Sequence, residues 1–195
     1  QKPAPPASSS SSTAGQGLRA FAWWIEDADT LERGTTTLGL SFGRWQGIAG
    51  GQTDGPVLDV AVGVTDWLQL GVTLPYYRAS YTSGFAASGR GDTYVTAKFG
   101  LMDPDSHGVG VALAPMIEVL SDAMISDPTL NLSRVNWALP VSVQFGSGGT
   151  RFYTSFGYFS RGAVFVSGAL EHSITDRFTV SASLNYSHSM HNLDA

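Results

Sequence analysis

The chain contains no cysteine. That excludes a disulfide framework, thiolate zinc sites, a cysteine nucleophile and lipidation at an N-terminal cysteine. It leaves the redox compartment open, because a chain without thiols is safe in any of them. No run of about 18 apolar residues occurs, so no helix is long and greasy enough to cross a membrane. There is no basic start followed by an apolar stretch, and so no visible signal peptide. The first residues, Gln1-Lys2-Pro3, read as the start of a processed, exported chain. Charge is scarce as well, at 14% Asp, Glu, Lys and Arg, against about a quarter in ordinary soluble domains. The net charge of −5, with no Lys/Arg cluster, argues against nucleic acid as a partner.

The 195 residues are enough for one domain with a sizeable core. Residues 1–16, QKPAPPASSSSSTAGQ, are a Pro/Ser-rich tract with nothing to bury, and a disordered tail is expected there. Residues 17–33 are apolar and then acidic, and are expected to lead in from the periplasm. From Gly34 onward the helical period is almost absent. Nine segments of period-2 alternation replace it, at 34–45, 55–63, 67–77, 91–101, 108–120, 135–146, 150–160, 162–172 and 177–188.

One parity of each segment is apolar: Leu38, Leu40 and Phe42; Leu68, Leu70, Val72 and Leu74; Val109, Val111 and Leu113; Trp137, Leu139, Val141 and Val143. The other parity is small and uncharged, as in Thr37, Gly39 and Ser41, or Gly110, Ala112 and Ala114. A soluble sheet turns Lys, Glu, Arg and Asp toward water. Small residues suit a crowded interior instead, with the apolar parity turned to lipid. The expected fold is all-β: an antiparallel transmembrane β-barrel with about nine visible strands over 34–195, and 10–12 in the complete protein. Nine is odd, whereas single-chain bacterial barrels are even. A tenth strand is expected from residues beyond Ala195, with AFAWWIEDADT as the alternative source. Links 46–54, 78–90 and 121–134 are expected as long outer loops, alternating with short periplasmic turns. Only the tight link at Arg161-Gly162 departs from that alternation.

Several stretches carry a family likeness. IEDADTLERGTTTLGL, VGVTDWLQLGVTLPYY, GRGDTYVTAKFGL and SITDRFTVSASLNYSHS resemble the outer-membrane β-barrel family labelled "MetA-pathway of phenol degradation". The likeness covers residues 25–188 and lies in the order of an acidic D-A-D-T stretch, a G-V-T-D-x-L-x-L-G hairpin and a G-D…K strand. It implies a transporter-like barrel of Gram-negative bacteria, usually of about twelve strands, with import of aromatic or hydrophobic compounds. The shorter C-terminal part departs from the family.

On the inward parity, Asp59, Lys98, Glu118, Arg151 and Glu171 are candidate lumen-lining groups that would set selectivity, or else pair inside a packed barrel. Asp66, Asp176 and Arg177 belong to rims and turns. Trp45, Trp67, Tyr76, Tyr77, Trp137, Phe152, Tyr158 and Tyr186 are candidate membrane-interface aromatics. His172, His188 and His191 stand near serines, but no nucleophile-elbow motif accompanies them, and catalysis and metal binding are not expected. Arg90-Gly91-Asp92 and the GSGG of 146–149 are read as turn chemistry.

The function expected is passive passage of small solutes through a bacterial outer membrane, without bond chemistry or cofactor. The partners expected are outer-membrane lipid, a small hydrophobic solute, and a periplasmic or membrane protein reached through residues 1–33. The alternatives are a closed structural barrel that anchors an assembly, and a soluble barrel with its apolar face inward.

Overall fold

The structure is a computed structural model describing residues 27–47, 50–81, 86–121, 133–147, 149–175 and 178–190. The expected tail at 1–16, AFAWW, most of loop 121–134, His191, Asp176 and Arg177 lie outside them. All the strands belong to one antiparallel sheet. They are β1 (Thr36–Gly47), β2 (Gly50–Thr65), β3 (Leu68–Tyr81), β4 (Ala86–Arg90), β5 (Thr93–Met102), β6 (Val109–Leu113), β7 (Met116–Val119), β8 (Val135–Ser147), β9 (Thr150–Phe159), β10 (Ala163–Thr175) and β11 (Phe178–Ser189). A short helix, α1 (Pro104–His107), fills the link between β5 and β6. The order is β1-β2-β3-β5-β6-β8-β9-β10-β11, with β4 beside β3, and β7 between β5 and β8.

The alternating segments correspond to these ladder positions. β4 and β5 form one position interrupted at Gly91-Asp92, and β6 and β7 form another interrupted at Ala114-Pro115. Pro115 has no N–H for a ladder, and Pro140 stands on the neighbouring strand, accepting from the Ala114 N–H at 2.9 Å. On the far side of Pro140 lies Gly157, where a Cβ would come within 2.5 Å of the Leu139 carbonyl oxygen. Two prolines and a glycine therefore stand at one level on three adjacent ladder positions.

Two of the expected outer loops are different in the structure. β1 and β2 stay paired as far as Gly47 and Gly50, so 46–54 is a hairpin arm with its link at 48–49. β3 and β4 pair from Tyr76–Arg90 to Ser80–Ala86, so much of 78–90 is strand. GGQTDGP carries turn-forming residues, but backbone pairing needs no particular side chain, and the ladder runs on past the end of the alternation.

The apolar parity is the exposed one. Leu38 is 72% exposed and Leu184 78%, while Leu40, Phe42, Leu70, Trp137, Val166 and Leu170 are exposed beside them. The small and polar parity is buried: Ala112, Ala114, Ala138, Ser142, Ser155 and Ser167, with Met116, Phe159 and Phe165 among them. Side chains as short as serine are sealed only where a face curves in on itself, so this is the concave side. The expected orientation of the two faces is the one observed, and the apolar-inward barrel is not. On β11, which forms one edge of the sheet, both parities are exposed.

At the end carrying α1, the Asp103 carboxylate caps the helix, accepting from Asp105 N–H at 3.0 Å and Ser106 Oγ at 2.7 Å. Gly108, at φ 72°, closes the turn. The Ser106 hydrogen bond, followed by that of Asp105, holds the Asp103 carboxyl below the usual carboxylate range. A depressed carboxylate stabilises the fold above its unfolded pKa and ceases to do so as pH falls through the folded value. Carboxyl-carbon NMR is expected to show Asp103 titrating at lower pH than an unfolded aspartate, and Ser106→Ala to move it upward. At the level of the two prolines, Gly157→Ala is expected to cost about 1–3 kcal/mol through overpacking, read as a lower urea midpoint.

Candidate functional site: two charged layers on the concave side

Residues 27–33 form a strap across the concave side, at the end bearing α1 and the β2–β3 turn. Its placement begins with room. A Cβ at Gly63 would meet the Glu32 carbonyl oxygen at 2.2 Å, one at Gly110 would meet the Ala28 Cβ at 3.0 Å, and one at Gly100 the Thr30 Cγ2 at 3.3 Å. These three glycines are on the inward parity, and they leave the space that the strap fills. Ala28 and Leu31 are buried against the sheet.

The strap backbone is held by amides of the wall. Ala28 N–H donates to Gln144 Oε1 at 3.1 Å, and Leu31 N–H to Gln69 Oε1 at 3.0 Å. Thr30 Oγ1 donates to the Asp66 carbonyl at 2.8 Å. Its carboxylates meet the wall's bases: Asp27 pairs with Lys98 Nζ at 2.9 Å, and Asp29 with Arg151 Nη1 at 2.9 Å. Gln144 Nε2 donates to both Asp29 oxygens at 3.1 Å. Arg151 also donates twice to Glu171 Oε2, from Nε at 3.0 Å and Nη2 at 2.6 Å. Burial, then the nearby Asp27 carboxylate, push the Asp29 carboxyl above its ordinary value against the pull of Gln144 and Arg151.

A second layer lies toward the opposite end. Glu118 Oε1 accepts from Tyr94 Oη at 2.9 Å. Its Oε2 accepts from Asn136 Nδ2 at 3.2 Å and Arg161 Nη2 at 2.7 Å. Between the two layers the concave side is small or apolar.

The five candidate lumen residues all face inward, and the structure divides them. Lys98, Arg151 and Glu171 gather at the strap, with Lys98 2% and Glu171 4% exposed. Glu118, 3% exposed, anchors the other layer. Asp59 stands apart and accepts a hydrogen bond from Thr73 Oγ1. The sequence reading missed Asp27, Asp29, Gln69, Gln144, Tyr94, Asn136 and Arg161 as members of these layers. An acidic D-A-D just before a sheet whose inward parity carries Lys98 and Arg151 was the available signal.

Of the candidate interface aromatics, Trp67, Tyr76, Trp137, Phe152 and Tyr186 are exposed on the apolar side. Trp67 stacks on Phe99 at 6.2 Å, and Trp137 meets Tyr158 at 5.7 Å. Tyr77 is a correction: adjacent strand residues point to opposite faces, and Tyr77 takes the concave parity while Tyr76 takes the apolar one. The Trp45 side chain lies outside the described residues. Phe145 pairs with Phe152 at the strap end of β8, eight residues from Trp137. That is about 26 Å along a strand.

His172 Nδ1 lies 2.9 Å from Thr150 Oγ1 on the exposed side, and His188 is exposed on β11. No protein-family model matches this chain, and no curated protein does.

Glu118→Ala is expected to cost about 3 kcal/mol, because it strands Arg161 in a partly buried layer. Tyr94→Phe should cost about 1 kcal/mol, the worth of one hydrogen bond. Urea midpoints of the two variants check both the size and the order of the effects.

Proposed function

We propose that the chain is a bacterial outer-membrane β-barrel of the transporter-like kind named by the sequence resemblance, serving passive passage of small, hydrophobic or aromatic solutes. The observation that carries this reading is the reversal of faces, with leucine, valine and phenylalanine outside while lysine, glutamate and arginine are enclosed. Each large apolar side chain left in water forfeits about 1.5–3 kcal/mol, and that loss disappears if hydrocarbon surrounds the sheet. Exposed aromatics near both ends of β8 suit the two water interfaces of a bilayer. The scarcity of charge and the absence of cysteine agree with an exported membrane protein.

In this reading outer-membrane lipid is the partner of the convex face, and the concave side is the route. The strap end takes the periplasmic side, where the short links lie. The protein then supplies a hole of defined size and polarity. A closed barrel that anchors an assembly is the second reading, favoured by the strap lying across the concave side. Steady single-channel current in planar bilayers separates the two.

Val166→Arg tests the lipid-facing assignment. In a bilayer it should cost about 2–4 kcal/mol of folded stability, whereas an exposed site in water would change by about 0.5 kcal/mol or less. Brominated lipids should quench Trp67 and Trp137 fluorescence in the wild-type protein; unquenched emission from both would remove lipid from the convex face.

A further inference from the structure

We propose that the concave wall at the strap end is a binding station for small organic carboxylates, and that Asp27 and Asp29 of the chain itself occupy it. The wall supplies donors from three strands, Lys98 Nζ from β5, Gln144 Nε2 from β8 and the Arg151 guanidinium from β9, while Gln69 Oε1 on β3 accepts from the strap backbone. Two cations and an amide converge on two carboxylates, the pattern by which proteins recognise carboxylate ligands. The charge balance points the same way. With the strap in place, Lys98 and Arg151 face three carboxylates, Asp27, Asp29 and Glu171. With it withdrawn, the same two bases face Glu171 alone, and the station becomes net cationic.

An independent observation concerns the wall itself. Tyr153 and Glu171 are buried to 1% and 4% exposure, and the phenol lies against the Glu171 carboxylate as its hydrogen-bond partner. Buried polar atoms are ordinarily satisfied. The Arg151 guanidinium carbon lies 5.9 Å from the Tyr153 ring centre. The ring and its cation also offer a face to an aromatic acid.

The strap is suited to exchange. It pairs with no strand of the sheet, and it is held by side-chain contacts and a turn rather than by a ladder. A solute carboxylate entering the station replaces the strap's carboxylates on the same donors, and the strap lifts away. This inference draws on the proposed passage only for the route by which a solute arrives.

The test does not depend on conductance. Ala28 is buried in the strap, and the chain has no native thiol. Ala28→Cys therefore reports strap release as the rate of maleimide labelling of the full chain in detergent micelles. Benzoate and phthalate are expected to accelerate labelling at least fivefold, while methyl benzoate, or sodium chloride at matched ionic strength, leaves it near the basal rate. Equal acceleration by chloride would reduce the effect to screening of ion pairs and overturn the station. So would a rate indifferent to every carboxylate. In a second arm, Asp27→Asn with Asp29→Asn should bind benzoate at least tenfold more tightly than wild type by calorimetry, and adding Arg151→Met should abolish the gain. Equal binding by the double variant and wild type overturns the inference even if the protein conducts. Carboxylate-dependent labelling sustains it even if the protein passes no current.

Discussion

A sheet that turns its apolar side chains outward has to satisfy its polar ones among themselves, and the rest of this structure follows from that constraint. Desolvating an unpaired charge costs several kcal/mol after relaxation. Lys98 is buried and Arg151 half-buried on that face, so their counter-charges come from groups enclosed beside them. Glu171, on the strand beside Arg151, supplies one. The others come from Asp27 and Asp29, far off in sequence, and this explains why the chain crosses the concave side before entering β1. The opposite layer solves the same problem locally, with Glu118 taking three donors from β5, β8 and the β9–β10 turn.

The two layers differ in how freely they could change. Glu118 and its donors all sit on strands or on a tight turn between paired strands, so that layer is tied to the ladder. The strap layer has two of its five charged groups, Asp27 and Asp29, on a segment without ladder bonds. Within that segment the Ala28 N–H is answered by Gln144 and the Leu31 N–H by Gln69, so side chains of the wall take the place of a ladder. The glycines at 63, 100 and 110 make the enclosure possible, because each gives up a side chain where the strap needs the volume.

Much of the fold was legible in the alternation. Period 2 locates the strands, and the chemistry of the non-apolar parity says which face is enclosed, because Gly, Ala and Ser do not make a water-facing surface. The candidate residues Lys98, Glu118 and Glu171 were legible as inward by the same count. Two kinds of feature were not. The arms of β1, β2 and β3 run beyond the alternating stretches, since ladder bonds depend on the backbone and GGQTDGP carries no periodic signal. The strap's partners on the wall lie 33 to more than 100 residues away, and pairing at that distance leaves no local pattern. Tyr76-Tyr77 shows the opposite limit: two neighbours of the same type serve different faces, and only strand parity separates them.

The two outer strands of the sheet have a geometric consequence. With every neighbour antiparallel, the ninth ladder position repeats the direction of the first, so β1 and β11 both run away from the strap. Brought edge to edge they would meet head beside head, with the slanted bonding of a parallel seam. A seam of the same kind as the other eight calls for an odd number of strands set between them, whichever molecule or segment provides them.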